Sequence, residues 1–203
     1  MFEENRDYER FILLMYVCNG SNRIHISDVK NWALAEFLND ASLDRGAPLV
    51  EIGAYALMPN HIHLVLQEIQ KGGIAAFMLK VCTGYSMYFN KKSARTGPLF
   101  SGAFKSKHIA DDRYLKQVVP YVLLNPAVLF DPKWKQGEAI APKVHSKLMR
   151  YSYSSLLDFL EIKRLENIIV GKKLLEYYDR APSLAEMVTN AQEYYRENSA
   201  LPH

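Results

Sequence analysis

Cysteine is scarce in this chain: Cys18 and Cys82 are the only two among 203 residues. Two thiols so widely separated exclude a disulfide framework and read as reduced cysteines of a cytoplasmic protein. Long apolar runs are missing too. No stretch reaches the roughly eighteen consecutive apolar residues that a membrane span needs. The opening Met-Phe-Glu-Glu-Asn-Arg is too charged for a signal peptide. Neither an internal repeat nor a low-complexity tract is visible. The most telling absence is local, because between Ile69 and Ala110 there is no Asp or Glu. That window holds Lys71, Lys80, Lys91, Lys92, Arg95, Lys105 and Lys107. The chain is +3 overall, so with +7 in the window the remainder stands at −4. Such asymmetry is the footprint of a surface that meets phosphates.

What is present begins with composition. At 49% hydrophobic content, a chain of this length can bury one sizeable core and carry an appendage. Its most informative words are Met58-Pro-Asn-His-Ile-His-Leu-Val-Leu66. Side chains alternate faces along a strand, so His61 and His63 share one face while Ile62, Leu64 and Leu66 take the other and anchor the strand in the core. Two adjacent imidazoles form half of a divalent-metal site, or else a pair of partly exposed strand histidines without a metal.

Residues 111–126 follow a helical pattern, with apolar side chains at 115, 118, 119 and 122. Asp111 or Asp112 caps its start and Pro126 ends it. Tyr121 and Asn125 are four apart and so share one helical face. An amide oxygen suits magnesium or manganese, and a phenol beside such an ion is a potential nucleophile. The alternative is a tyrosine packed in the core.

The order of these words resembles the single-tyrosine HUH transposases, most closely their REP-associated tyrosine transposase branch. His61-Ile62-His63 follows Met-Pro-Asn, and Tyr121-Val-Leu-Leu-Asn125-Pro comes roughly sixty residues later. Tyr88-Phe-Asn90, Gly97-Pro-Leu-Phe100 and Gly102-Ala-Phe-Lys-Ser106 lie between, where that family has similar words. The resemblance spans residues 2–130. It implies a ferredoxin-like HUH fold that transfers DNA strands as a dimer, with His61 and His63 matching the metal histidines. Asn125 matches the helix-borne ligand of Mg2+ or Mn2+, and Tyr121 the nucleophile. Two departures stand out. Members begin with a strand of the Tyr-His-x-x-x-Arg-Gly kind, which Met1 already lies beyond, so an exposed sheet edge is expected. Pro120 directly precedes the tyrosine, where a proline kinks a helix.

Aromatic residues accompany the basic window. Tyr85 and Tyr88 read as helix core, whereas the acid-free stretch 91–107 reads as nucleic-acid binding, with Lys91, Lys92, Arg95, Lys105 and Lys107 on phosphates and single-stranded or hairpin DNA as the partner.

The fold class expected is α+β, an antiparallel sheet covered by helices, followed by a C-terminal helical extension. Arg6–Val17 reads as a helix with Tyr8, Phe11, Leu14 and Met15 inward. A short helix is expected over 28–39 and a polar loop over 40–48. Strands at 49–57 and 61–68 join through a turn at 58–60. A helix over 72–89, a strand at 104–109 and the Tyr121 helix complete a catalytic domain, residues 1–130. A Pro-, Gly- and Lys-rich connector follows over 131–147. The extension, 148–203, holds short helices at 154–163 and 171–180, then a last helix opened by the capping box Ser183-Leu-Ala-Glu186. It carries no recognisable motif chemistry. Rival functions are a nucleic-acid-binding remnant without chemistry and a metal-dependent hydrolase that uses the histidine pair with water.

Overall fold

The computed structural model describes residues 1–22, 24, 35–36, 44–136, 140–178 and 180–198. The helix expected over 28–39 lies outside these residues, apart from 35 and 36, and so does the start of the loop at 40–48. The architecture is mixed α+β with a two-stranded antiparallel sheet. No helix among the described residues is long and apolar enough to cross a membrane.

The chain divides into two units, Met1–Ile52 with Leu66–Ser106, and Gly53–Val65 with Lys107–His203. This division falls elsewhere than the sequence-based boundaries near 130 and 147. Connector and extension share one apolar core with the Tyr121 helix, because Trp134, Val144, Leu148, Leu156 and Met187 are buried in the same cluster as Val119 and Leu123.

In the first unit, α1 (Asn5–Cys18) buries Phe11, Leu14 and Met15 and half-buries Tyr8. Its first turn is fixed by Asp7, a fully buried carboxylate that accepts the amides of Glu3 at 2.8 Å and Glu4 at 3.2 Å. The strands β1 (Val50–Met58) and β2 (His61–Glu68), of which Gly53–Val65 belongs to the second unit, meet at a turn over Pro59 and Asn60. At the end of β2, Glu68 accepts the amides of Gly72 and Ile74, which sets an anion at the positive end of α2 (Gly73–Lys92). Gly73 admits no side chain, since a Cβ there would stand 2.2 Å from the Leu49 carbonyl oxygen. Tyr85 of α2 is buried against Phe2 and Phe11, as expected of core. The half-buried Tyr88 turns its hydroxyl to Asp7 at 2.9 Å.

In the second unit, Asp111 caps α3 (Asp112–Leu124) by accepting the Tyr114 amide at 2.8 Å. The helix runs through Pro120 and tightens into a 3-10 turn, Asn125–Leu129, with Pro126 in its first turn. The short helices α4 (Pro142–Leu148), α5 (Leu156–Phe159) and α6 (Lys173–Glu176) then lead to α7 (Leu184–Asn198). The capping box forms: the Ser183 amide donates to Glu186 Oε2 at 2.7 Å and the Glu186 amide to Ser183 Oγ at 3.3 Å.

At Tyr55, Ala56 and Leu57 the free edge of β1 is covered rather than exposed. Leu57 N–H donates to the Tyr153 carbonyl, Ser155 N–H to the Tyr55 carbonyl, and Tyr55 N–H to Ser155 Oγ. Arg164 fastens this strap through the carbonyls of Ser152 and Ser154 and the buried carboxylate of Asp158.

Two local expectations are corrected. Residues 104–109 form no strand, because no neighbouring strand among the described residues offers them a ladder and all but Ile109 are exposed. Nor does β2 anchor itself through Ile62, Leu64 and Leu66, which are only half-buried. Val65, on the histidine face, is the residue buried among Leu115, Val119 and Val122, so the histidine face carries the strand's packing.

Candidate functional site

The alternation of β2 places His61 and His63 side by side, with ring centroids 4.9 Å apart and planes at 89°. His61 is exposed and His63 partly buried. Asn60, in the turn, sets the first ring by contacting His61 Nδ1 through Oδ1 at 2.7 Å. With that nitrogen donating, Nε2 keeps its lone pair for a ligand.

The 3.6-residue period of α3 brings Tyr121 and Asn125 to the same place. The Asn125 side chain, only 4% exposed, hydrogen-bonds His63 Nε2 through its amide. The Tyr121 ring stands 5.8 Å from the His63 ring, edge to face at 79°. All four residues that the sequence singled out for metal and nucleophile therefore meet at one place.

Electrostatics favour neutral imidazoles here. Burial, then the His61 imidazole and the Lys135 ammonium, push His63 down to about 4. Burial and Lys135 also lower His61. A neutral ring is the form that ligates a metal. Tyr121 is shifted upward, first by burial and then by the neighbouring phenols of Tyr194 and Tyr195, so it rests as a neutral phenol at neutral pH.

No group of three His, Cys, Asp or Glu able to hold a metal occurs among the described residues. The side chain that could add an amide-oxygen donor beside the two histidines is Asn125, with its oxygen rather than its nitrogen turned toward the site. Two imidazoles and one amide oxygen fit a divalent ion that retains open positions for an oxyanion.

Sequence reasoning missed the walls of this site. Tyr194 of α7 lies 4.5 Å from Tyr121, centroid to centroid, and Lys135 Nζ lies 5.4 Å from the Tyr121 ring and 4.3 Å from the Tyr195 ring. Lys135 follows Trp134, which is 1% exposed, in a segment read only as a connector. Trp134 is one of two tryptophans in the chain, and such a residue amid polar ones was the available signal of a buried anchor.

The five basic residues expected to meet phosphates differ in their commitments. Lys92 Nζ binds both oxygens of Asp7 at 2.8 Å and Glu4 at 3.0 Å, which occupies it structurally. Arg95 donates to the Pro98 carbonyl at 3.2 Å. Lys107 reaches Asn198 Oδ1 at 2.6 Å and lies over the Tyr114 ring. Lys91 and Lys105 are exposed, and Phe104 beside Lys105 is 43% exposed. Compared with models of protein families, with curated proteins and with solved structures, the chain matches none.

Proposed function

We propose that the protein is a single-tyrosine DNA strand transferase that cleaves and rejoins single-stranded DNA through Tyr121. The observation that carries this reading is the meeting of His61, His63, Asn125 and Tyr121 on one strand face and one helix face. The ferredoxin-like HUH fold, the dimer and the single-stranded or hairpin substrate belong to the same proposal on the strength of the sequence resemblance, and the cytoplasmic setting on that of the two separate cysteines.

A magnesium or manganese ion held by His61, His63 and Asn125 would supply positive charge at the scissile phosphate. The chain's own groups do the rest. Tyr121 loses its proton, and its oxygen forms a bond to phosphorus while the bond from phosphorus to the 3′ oxygen breaks. The leaving oxygen takes up a proton and departs as a free 3′-hydroxyl, and the 5′ phosphate stays on Tyr121. One phosphodiester replaces another, so the step is nearly isoenergetic and reversible, which suits strand transfer better than digestion. With one such tyrosine per chain, joining two ends takes two subunits. His63, kept neutral by burial, would offer a lone pair to such an ion and not repel it.

A DNA-binding remnant without chemistry is favoured by one observation, the packing of the Tyr194 ring against Tyr121. End-labelled hairpin DNA incubated with manganese separates the two. Strand transfer gives a free 3′-hydroxyl fragment and protein-linked 5′ label, whereas a remnant retards the DNA in a native gel and leaves it intact. Cleavage with both new ends free would instead identify a water-dependent hydrolase.

A further inference from the structure

Lys135 stands where no sequence motif pointed. The 3-10 turn Trp134–Gln136 carries it, held by the buried Trp134 indole and by Gln192 Nε2, which donates to the Trp134 carbonyl at 3.1 Å. Its ammonium lies over the rings of Tyr195 and Tyr121, at 4.3 and 5.4 Å. The residue is half-buried, and no carboxylate among the described residues pairs with it. Lys92 and Lys107 also lie near aromatic rings but are engaged, by Asp7 and Glu4 and by Asn198, whereas Lys135 is the ring-held cation that stands beside the histidines and Tyr121.

The place thus gathers two imidazoles, an amide, a phenol and an ammonium. A half-buried ammonium loses hydration, and ring faces return only part of it; an anionic oxygen at hydrogen-bond distance returns more. Building on the strand-transfer reading above, we infer that Lys135 is a further catalytic residue. Its ammonium binds a non-bridging oxygen of the phosphodiester that Tyr121 attacks, and the Tyr121 and Tyr195 faces hold it in place until that phosphate arrives. This contact needs no metal, so it is separable from the histidine site.

The test is the salt dependence of binding to a single-stranded oligonucleotide, in the presence of a chelator. Lys135→Gln should weaken binding severalfold at low salt and flatten the log–log slope by about 0.7, the value of one lost phosphate contact on a single strand. Lys135→Arg should keep the slope, and Lys133→Gln, at an exposed position two residues away, should behave as the parent. An unchanged slope in Lys135→Gln while the parent binds overturns the inference and leaves the strand-transfer reading standing. A slope that drops in a protein forming no tyrosine adduct leaves Lys135 a phosphate contact only and overturns its catalytic role together with the strand-transfer reading. Should Lys135→Gln fail to fold, orthophosphate titrated into the parent decides through the Lys135 side-chain NMR signal. A shift supports the contact, and a signal indifferent to both orthophosphate and oligonucleotide overturns it.

Discussion

His63 is held by Tyr121 in the last turn of α3 and by Asn125 at the start of the 3-10 turn that follows, and its environment keeps it uncharged. The consequence for stability has a definite sign. A histidine near 6.5 when unfolded and near 4 when folded lets the unfolded chain bind the extra proton between those values. Its stabilising contribution is complete above about pH 6.5 and drains away as the pH falls toward 4, by up to about 1.4 kcal/mol per pH unit. Denaturant unfolding of the parent and of His63→Gln across pH 4.5–7.5 should show a shallower acid slope in the variant. Identical slopes would mean that the imidazole is not shielded as the structure has it. The same residue tests the ligand assignment: His63→Ala should abolish manganese binding in calorimetry while the circular dichroism spectrum shows the fold retained, and unchanged affinity would remove His63 from the ligand set. At this scale the sequence was legible, since periods of 2 and 3.6 suffice to place His61 with His63 and Tyr121 with Asn125. Lys135 and Tyr194 were not, because both reach the site through contacts distant in sequence.

Among the elements, those built on local periodicity and capping could be read directly. These are α1, the hairpin, α2, α3 with its Asp111 cap, and α7 with its Ser183–Glu186 box. Elements that depend on a distant partner could not. Phe104 and Ile109 have strand-forming side chains, yet a strand needs a ladder and none among the described residues reaches them. The residues 153–155, conversely, gave no strand signal and nevertheless cover β1, because Arg164 fixes the strap to Asp158 and to two backbone carbonyls. Arg164→Met should therefore be strongly destabilising, by about 3–5 kcal/mol, since it strands the Asp158 carboxylate at 3% exposure without its cation. Urea unfolding measures the loss, and a change under about 1 kcal/mol would show the strap to be held by other means. Pro120 caused no break in α3; the helix continues for four more residues and carries Tyr121 in the same face as Asn125.

For the molecule as a whole, the acid-free basic window is the part proposed to meet phosphates, but its cations are not equally available for it. Lys92 is tied to the buried Asp7 carboxylate and to the exposed Glu4, whereas Lys91 and Lys105 project into solvent. Replacing Lys91, Arg95 and Lys105 together with Gln should reduce the salt slope of single-stranded DNA binding by up to about 2 and leave manganese affinity unchanged. An unaltered slope in the triple variant would reduce the basic window to an ordinary solvated face. The apolar composition foretold a sizeable core, but not that connector and extension would share it with the Tyr121 helix, since that sharing depends on Trp134, Leu148 and Met187 meeting Val119 across long stretches of chain.

The central claim is that Tyr121 carries the DNA. Hairpin DNA incubated with the protein and manganese, then resolved on a denaturing gel and mapped by peptide mass spectrometry, tests it most directly. The account predicts a phosphodiester-linked 5′ fragment on the peptide containing Tyr121, and its complete loss in Tyr121→Phe with folding and DNA binding retained. An adduct that persists in Tyr121→Phe, or one that maps to Tyr114 or another residue, would contradict it.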